Sequence, residues 1–139
     1  MEQIMVRSNK RMEMVDITPL LEKALAGMSL KRGALVLCVP HTTAAITVNE
    51  GADPAVCRDI LENLSRLVPH SARYHHREGN SDSHILASLV GSSQLLLVEE
   101  GKLCLGTWQR VFLCEFDGPR TRSVWLQALG SSAGSVASA

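Results

Sequence analysis

The sequence predicts an α+β fold: a compact single domain in which a mixed, mostly antiparallel sheet carries helices packed on one face. Three observations predict it. Strand and helix patterns run in the order ββαββαα, followed only by strand patterns from Gln94 onward. Two helix starts are marked by a capping residue and a proline, Thr18-Pro19 and Asp53-Pro54. The chain has 139 residues, 45% hydrophobic but only 4% aromatic, which suits one domain with an aliphatic core. Residues 1–129 are read as that domain. Residues 130–139, nearly all Gly, Ser and Ala, are expected to form a disordered tail.

Ile4 and Val6 alternate with polar neighbours, so Glu2 to Arg7 reads as a strand. Arg11 to Ile17 reads as its antiparallel partner across a turn at Ser8-Asn9-Lys10. Leu21, Ala24, Leu25 and Met28 recur at helical spacing and predict a helix over Pro19 to Met28. Ala34 to Val39 is a continuous apolar run, which suits a strand covered on both faces. A second β-rich segment follows from Thr43 to Val48, and Pro40-His41 puts His41 at the bend between the two.

Asp53 caps the clearest helix, whose Val56, Ile60, Leu61, Leu64 and Leu67 form one stripe and which ends before Pro69. Residues 70–82 are polar and read as a functional loop. Ser83 is placed to cap a short helix from His84 to Val90, closed by Gly91. The strands expected next are Gln94 to Val98, Lys102 to Leu105, Gln109 to Phe116 and Ser123 to Leu129.

Charge is balanced, 14 basic against 14 acidic residues, so no basic face draws nucleic acid or an anionic membrane. The N-terminus lacks a basic region followed by an apolar stretch, and no apolar run is long enough to span a bilayer. A soluble, cytoplasmic protein is expected. Cys38, Cys57, Cys104 and Cys114 lack metal-site spacing and read as reduced core residues.

Polar residues at strand ends and loops are the candidate site. His84 in the first turn of a helix is kept neutral by the helix dipole, and can bind a metal or donate to an oxyanion. An ordinary surface histidine is the plainer alternative. Gly79-Asn80-Ser81-Asp82 puts backbone N–H groups ahead of that helix, as a phosphate needs. His75 and His76 are neighbours, so in an extended chain only one faces a given pocket. With His41, three imidazoles would suit a zinc-like ion, if they converge. Asn49 and Glu50 precede the Asp53 cap, and no cap requires Glu50. Glu115 and Asp117 share one side of an extended strand and need a cation between them, which Arg120, Arg122 or a divalent metal would supply. Gly106-Thr107-Trp108-Gln109 sets an indole and an amide beside a glycine that a ligand can approach, with core packing as the plain reading of Trp108.

Taken in order, Pro40-His41-Thr42-Thr43 with Asn49-Glu50 and Asp53-Pro54, Gly79 to Asp82 with His84, and Leu105 to Gln109 with Glu115 closely resemble the YjbQ-like family, commonly labelled secondary thiamine-phosphate synthase. The resemblance implies an α+β domain assembled as a homotrimer with thiamine-phosphate synthase activity. It implies histidine positions at His41, His76 and His84 and polar positions at Asn49, Glu50, Trp108, Gln109 and Glu115.

That reaction joins a pyrimidine-methyl pyrophosphate to a thiazole phosphate and expels pyrophosphate. The expected catalytic set is Glu50, Glu115, Asn49, Gln109, Arg120 and Arg122. The substrate-binding set is Thr42, Thr43, Gly79, Asn80, Ser81, Asp82, Gly106, Thr107 and Trp108. His41, His76 and His84 are the metal set. Three histidines suit a zinc-like ion, whereas magnesium on pyrophosphate prefers oxygen ligands, so the named activity is expected to be secondary. Two alternatives stand beside it: metal-assisted hydrolysis with Glu50 or Glu115 as base, and a non-catalytic trimer that binds a metal or small anion.

Overall fold

The computed structural model describes residues 1–132. Within them the chain forms β1 (Glu2–Arg7), β2 (Glu13–Asp16), α1 (Thr18–Ala26), β3 (Leu30–Cys38), β4 (Ala44–Glu50), α2 (Pro54–Leu67), α3 (Ser81–Val90), β5 (Ser93–Glu99), β6 (Lys102–Leu103), β7 (Gln109–Glu115) and β8 (Thr121–Ser132). The element order is the one the sequence predicts, and the fold is α+β. The strands form two sheets, ordered β1-β8-β3-β5-β6 and β2-β7-β4. All of these strand pairs are antiparallel.

Side-chain alternation explains the layering. Val6, Leu35, Leu37, Leu96, Val98, Val124 and Leu126 point from the large sheet into a core shared with Ala44, Ile46, Val111 and Leu113 of the small sheet. Helix α1 adds Leu21 and Leu25, 0% and 2% exposed, each stabilising the fold by about 2 kcal/mol of burial. On the other face of the small sheet, Ala45, Cys114 and Phe116 pack with Leu86 and Ala87 of α3 and with Leu61 and Leu64 of α2. The small sheet is thus covered on both faces, and Val111 to Phe116 is buried without a break.

Several expectations are corrected. The run from Ala34 to Val39 is covered on one face only: Leu35 and Leu37 are buried, while Cys38 faces outward and is exposed. The double coverage belongs to the small sheet instead. β1 and β2 do not pair with each other. β1 pairs with β8 and β2 with β7, because Ser8, fully buried, bonds back to Arg120 and carries the chain from one sheet to the other. Period-two alternation marks a strand but not its partner.

Thr18 is the first residue of α1 rather than its cap, and its hydroxyl accepts from the Val111 N–H at 2.8 Å, tying the helix to β7. Asp53 caps α2 as expected, accepting from the Ala55 N–H at 2.9 Å. Helix α3 begins at Ser81, not at His84, and Ser83 donates to the Phe116 carbonyl at 2.6 Å instead of capping. β8 runs through Gly130 to Ser132, so a tail begins no earlier than residue 133, and residues 133–139 lie outside the described residues. Of the four free cysteines only Cys114 is buried, while Cys38 and Cys104 are exposed.

Gly33 and Gly130 face each other across β3 and β8 with φ of 144° and 138°. A Cβ on Gly33 would sit 2.0 Å from the Leu129 carbonyl, and one on Gly130 would sit 2.1 Å from that of Arg32. Only glycine allows the two backbones this approach.

Candidate functional site

The site starts where β3 leaves the large sheet. β3 pairs with β8 up to Cys38 and Trp125, and continuing that register would set Pro40 opposite Ser123. The chain turns away there, and the Ser123 N–H is taken instead by His41, whose Nε2 accepts it at 2.9 Å. Pro40-His41 is therefore a bend, as the sequence indicates, with the imidazole standing in for a missing strand partner.

Beside this bend Arg122, 2% exposed, is held by Glu115, 0% exposed. Its Nε donates to both Glu115 carboxylate oxygens at 3.0 and 3.1 Å, and its Nη2 donates to Glu115 and to the Thr43 hydroxyl at 2.8 Å. Glu115 also accepts from Ser8 Oγ at 2.7 Å and from the Asp117 N–H at 3.1 Å. Burial alone would raise its pKa, but the bonds from Arg122, Ser8 and Asp117 override this and hold the carboxyl below its ordinary value. Its bonding capacity is filled from within the fold. Burial holds His41 below the ordinary histidine pKa, the Arg122 charge adds to this, and Glu115 opposes it.

The two arginines divide the two carboxylates. Arg122 takes Glu115, while Arg120 Nη2 pairs with Asp117 at 3.1 Å, so no cation is shared between the carboxylates. Asn80 Nδ2 donates to Asp117 at 2.9 Å, and its Oδ1 is buried without a partner. Asp82, 1% exposed, accepts from Arg11 at 3.0 and 3.2 Å and lies 3.2 Å from His70 Nδ1. It anchors the start of α3 from inside. Gly79, with φ of 80°, turns the chain in open space just ahead of Asn80.

Two clefts open at this end. One, about 350 Å³, is lined by His41, Thr42, His84, Ala87, Ser88 and Ser92, among others. The other, about 380 Å³, is lined by Tyr74, His75, His76, Ser81, His84 and Ile85, among others. His84, at the end of the first turn of α3, lines both. Its ring stands edge-on to that of His76, with centroids 5.4 Å apart. His75 and His76 line one cleft together, because the loop between α2 and α3 is not an extended strand.

Asn49, Glu50, Gly106, Thr107, Trp108 and Gln109 lie elsewhere. In the small sheet Ala44 is opposite Glu115, while Glu50 is opposite Gln109. Six residue steps separate the two ends, about 20 Å. At the far end Gly106 N–H donates to Gln109 Oε1 at 2.8 Å, the Gly51 N–H donates to the Trp108 carbonyl at 2.9 Å, and Asn49 Oδ1 accepts from Glu50 N–H at 2.7 Å. Trp108 is 63% exposed and is not core. Gln109 also lines a cavity of about 570 Å³, with Thr18, Glu22, Lys102 and Arg110 among its walls.

A zinc-like ion is the expectation if the three histidines converge, and its fit rests on lone pairs. The His41 Nε2 lone pair is engaged by a backbone N–H, so the neutral ring carries its proton on Nδ1 and has none left for a metal. Among the described residues no three His, Cys, Asp or Glu side chains form a ligand set. The three-histidine ion does not fit this arrangement.

Residues that sequence reasoning missed are Ser8, Arg11 and Ser123. From local pattern Ser8 reads as a turn and Arg11 as the start of a strand. Their partners, Glu115 and Asp82, are 107 and 71 positions away, and no local signal points to them.

The fold and this end of it define a small α+β protein with two histidine-walled clefts joined at one ring. The chain belongs to the YjbQ-like family: the family's sequence profile, described as "UPF0047 protein YjbQ-like", matches residues 2–131. It is 50% identical over 125 residues to UPF0047 protein MJ1081 of Methanocaldococcus jannaschii, covering 90% of this chain and 91% of that one. It is 43% identical to UPF0047 protein YugU of Bacillus subtilis, covering 94% and 99%. Among solved structures, an uncharacterized conserved protein of the family from Clostridium acetobutylicum superposes with a TM-score of 0.89 at 47% identity, covering 91% of this chain and 98% of that one. A hypothetical protein from Aeropyrum pernix superposes with the same TM-score of 0.89 at 37% identity, covering 94% and 98%.

Proposed function

We propose that the chain is an enzyme that binds a phosphorylated small molecule in the cleft between His41 and His84, works as a homotrimer, and forms thiamine phosphate as a secondary activity. The observation that carries the reading is the pairing of these two imidazoles on one cleft with the hydroxyls of Thr42, Ser88 and Ser92. Burial and the Arg122 charge hold the His41 pKa below the ordinary histidine value. The Gly79-Asn80 turn leads into α3, whose first residue Ser81 lines the neighbouring cleft that His84 also lines.

Metal-assisted hydrolysis is less well supported. Glu115 is fully bonded inside the fold, and Glu50 lies at the far end of the small sheet. The homotrimer is part of the reading for two reasons. The outer face of the large sheet carries Met5, Leu95, Leu97, Trp125 and Leu129, 39% to 61% exposed. Also, the Trp108 end and the His41 end are about 20 Å apart in one chain, so one small ligand would meet both only across a subunit boundary.

The test is formation of thiamine phosphate from the pyrimidine-methyl pyrophosphate and the thiazole phosphate by purified protein, with and without chelator. Turnover lost in folded His41→Ala and His84→Ala supports the reading. Turnover unchanged in both variants rejects the cleft as the site.

A further inference from the structure

His41 has one ring nitrogen committed and one free. The donor to Nε2 is a backbone N–H, which can only donate, so Nε2 is the unprotonated nitrogen of the neutral ring. The neutral ring then bears its hydrogen on Nδ1. Among the described residues no side chain or backbone group bonds to Nδ1, and Asn80 Oδ1 is the one buried polar side-chain atom without a partner. His41 Nδ1 is therefore open to solvent, on a residue that lines the cleft. Ser123 fixes this arrangement because β3 has left the sheet and offers that N–H no other acceptor.

We propose that His41 serves the cleft as a fixed hydrogen-bond donor, its Nδ1–H aimed at an oxyanion of the ligand, and is not a metal ligand. The inference rests on the reading of the cleft as the ligand site and deepens it. It names the ligand chemistry, a phosphate or carboxylate oxygen, and the atom that meets it. The Ser123 N–H acts on the ligand through His41, which makes it a positioning group. Burial and the Arg122 charge act in the same direction, disfavouring a second proton on the ring.

Nitrogen-15 NMR of the imidazoles in the full chain tests this directly, with inorganic phosphate and zinc as probes. The free protein at neutral pH should show His41 as the Nδ1–H tautomer. Phosphate should move the Nδ1 resonance, and zinc should leave both His41 nitrogens unshifted. His41→Asn keeps a donor near the Nδ1 position, whereas His41→Gln keeps an acceptor near Nε2 for Ser123. Phosphate affinity should fall about tenfold in His41→Gln and be largely kept in His41→Asn.

An Nε2–H tautomer, or a zinc shift at His41, overturns the inference. The cleft reading survives that result if phosphate still moves the His84 resonances. The expected tautomer with no response to phosphate at either His41 or His84 overturns the donor role and the cleft reading together.

Discussion

At the scale of single residues, the most consequential group is the buried pair of Glu115 and Arg122. Removing one member leaves the other charged and unpaired inside the protein, so Glu115→Ala should lower stability by about 3–5 kcal/mol in urea unfolding. Replacing both by methionine should recover most of that loss. A double variant as unstable as the single one would show that the pair stabilises by more than mutual neutralisation. Acid should act on the same groups. Glu115 and Asp82 are held below their ordinary values of 4.5 and 3.8 by their arginine partners against the opposing pull of burial. A depressed carboxyl contributes stability that is complete above its unfolded value and is lost as pH falls through its folded one. The carboxyl contribution to unfolding free energy should therefore be level above about pH 5 and decline below about 4.5, with a shallower decline in Asp82→Asn. The sequence shows carboxylates and arginines in number but not their pairing. Glu115 and Asp117 stand two apart and invite a shared cation, yet the strand ends at Glu115, and each carboxylate takes its own arginine.

Helices and strands were legible where the signal was local. The Asp53-Pro54 start of α2 is carried by its own two residues, and Asp53→Ala should cost about 1 kcal/mol of unfolding free energy measured in urea. The start of α3 was misplaced by three residues. Ser83 has the chemistry of a cap but is spent on the Phe116 carbonyl, a partner 33 positions away. The apolar run in β3 shows the same limit from the other side. Its composition signals apolar neighbours on both faces, and one of those faces is open in a single chain. Gly33 and Gly130 need no cap or pattern to justify them, only the close approach of β3 and β8. Gly33→Ala should destabilise by more than about 1 kcal/mol, because its Cβ meets backbone rather than a side chain that could move. A Gly33→Ala variant with unchanged unfolding would mean that the two strands can separate locally without loss.

For the whole molecule, the fold class and the order of elements followed from pattern, while the division into two sheets did not. Whether β2 joins β1 or β7 depends on contacts that no window of sequence contains. The candidate site divides in the same way: His41, Thr42 and His84 line one cleft, and Trp108, Gln109 and Glu50 lie far from it. If subunits complete one another, mixing inactive His41→Ala with inactive Trp108→Ala protein should restore part of the turnover in mixed trimers. No recovery would place all of the chemistry within one chain. Charging the open face with Leu97→Glu and Leu129→Lys should shift sedimentation to the monomer.

Among the described residues β1 bonds to β8 and to no other strand, with Gln3 and Trp125 in contact at 122 positions apart. The chain's opening segment therefore has to wait, unpaired, until nearly everything else has been synthesised and the large sheet can close over it. Folding dominated by so distant a closure is slow for a domain of this size, on the order of milliseconds to seconds. During that interval the apolar edge of β8 is what a chaperone, or another nascent copy, would meet first.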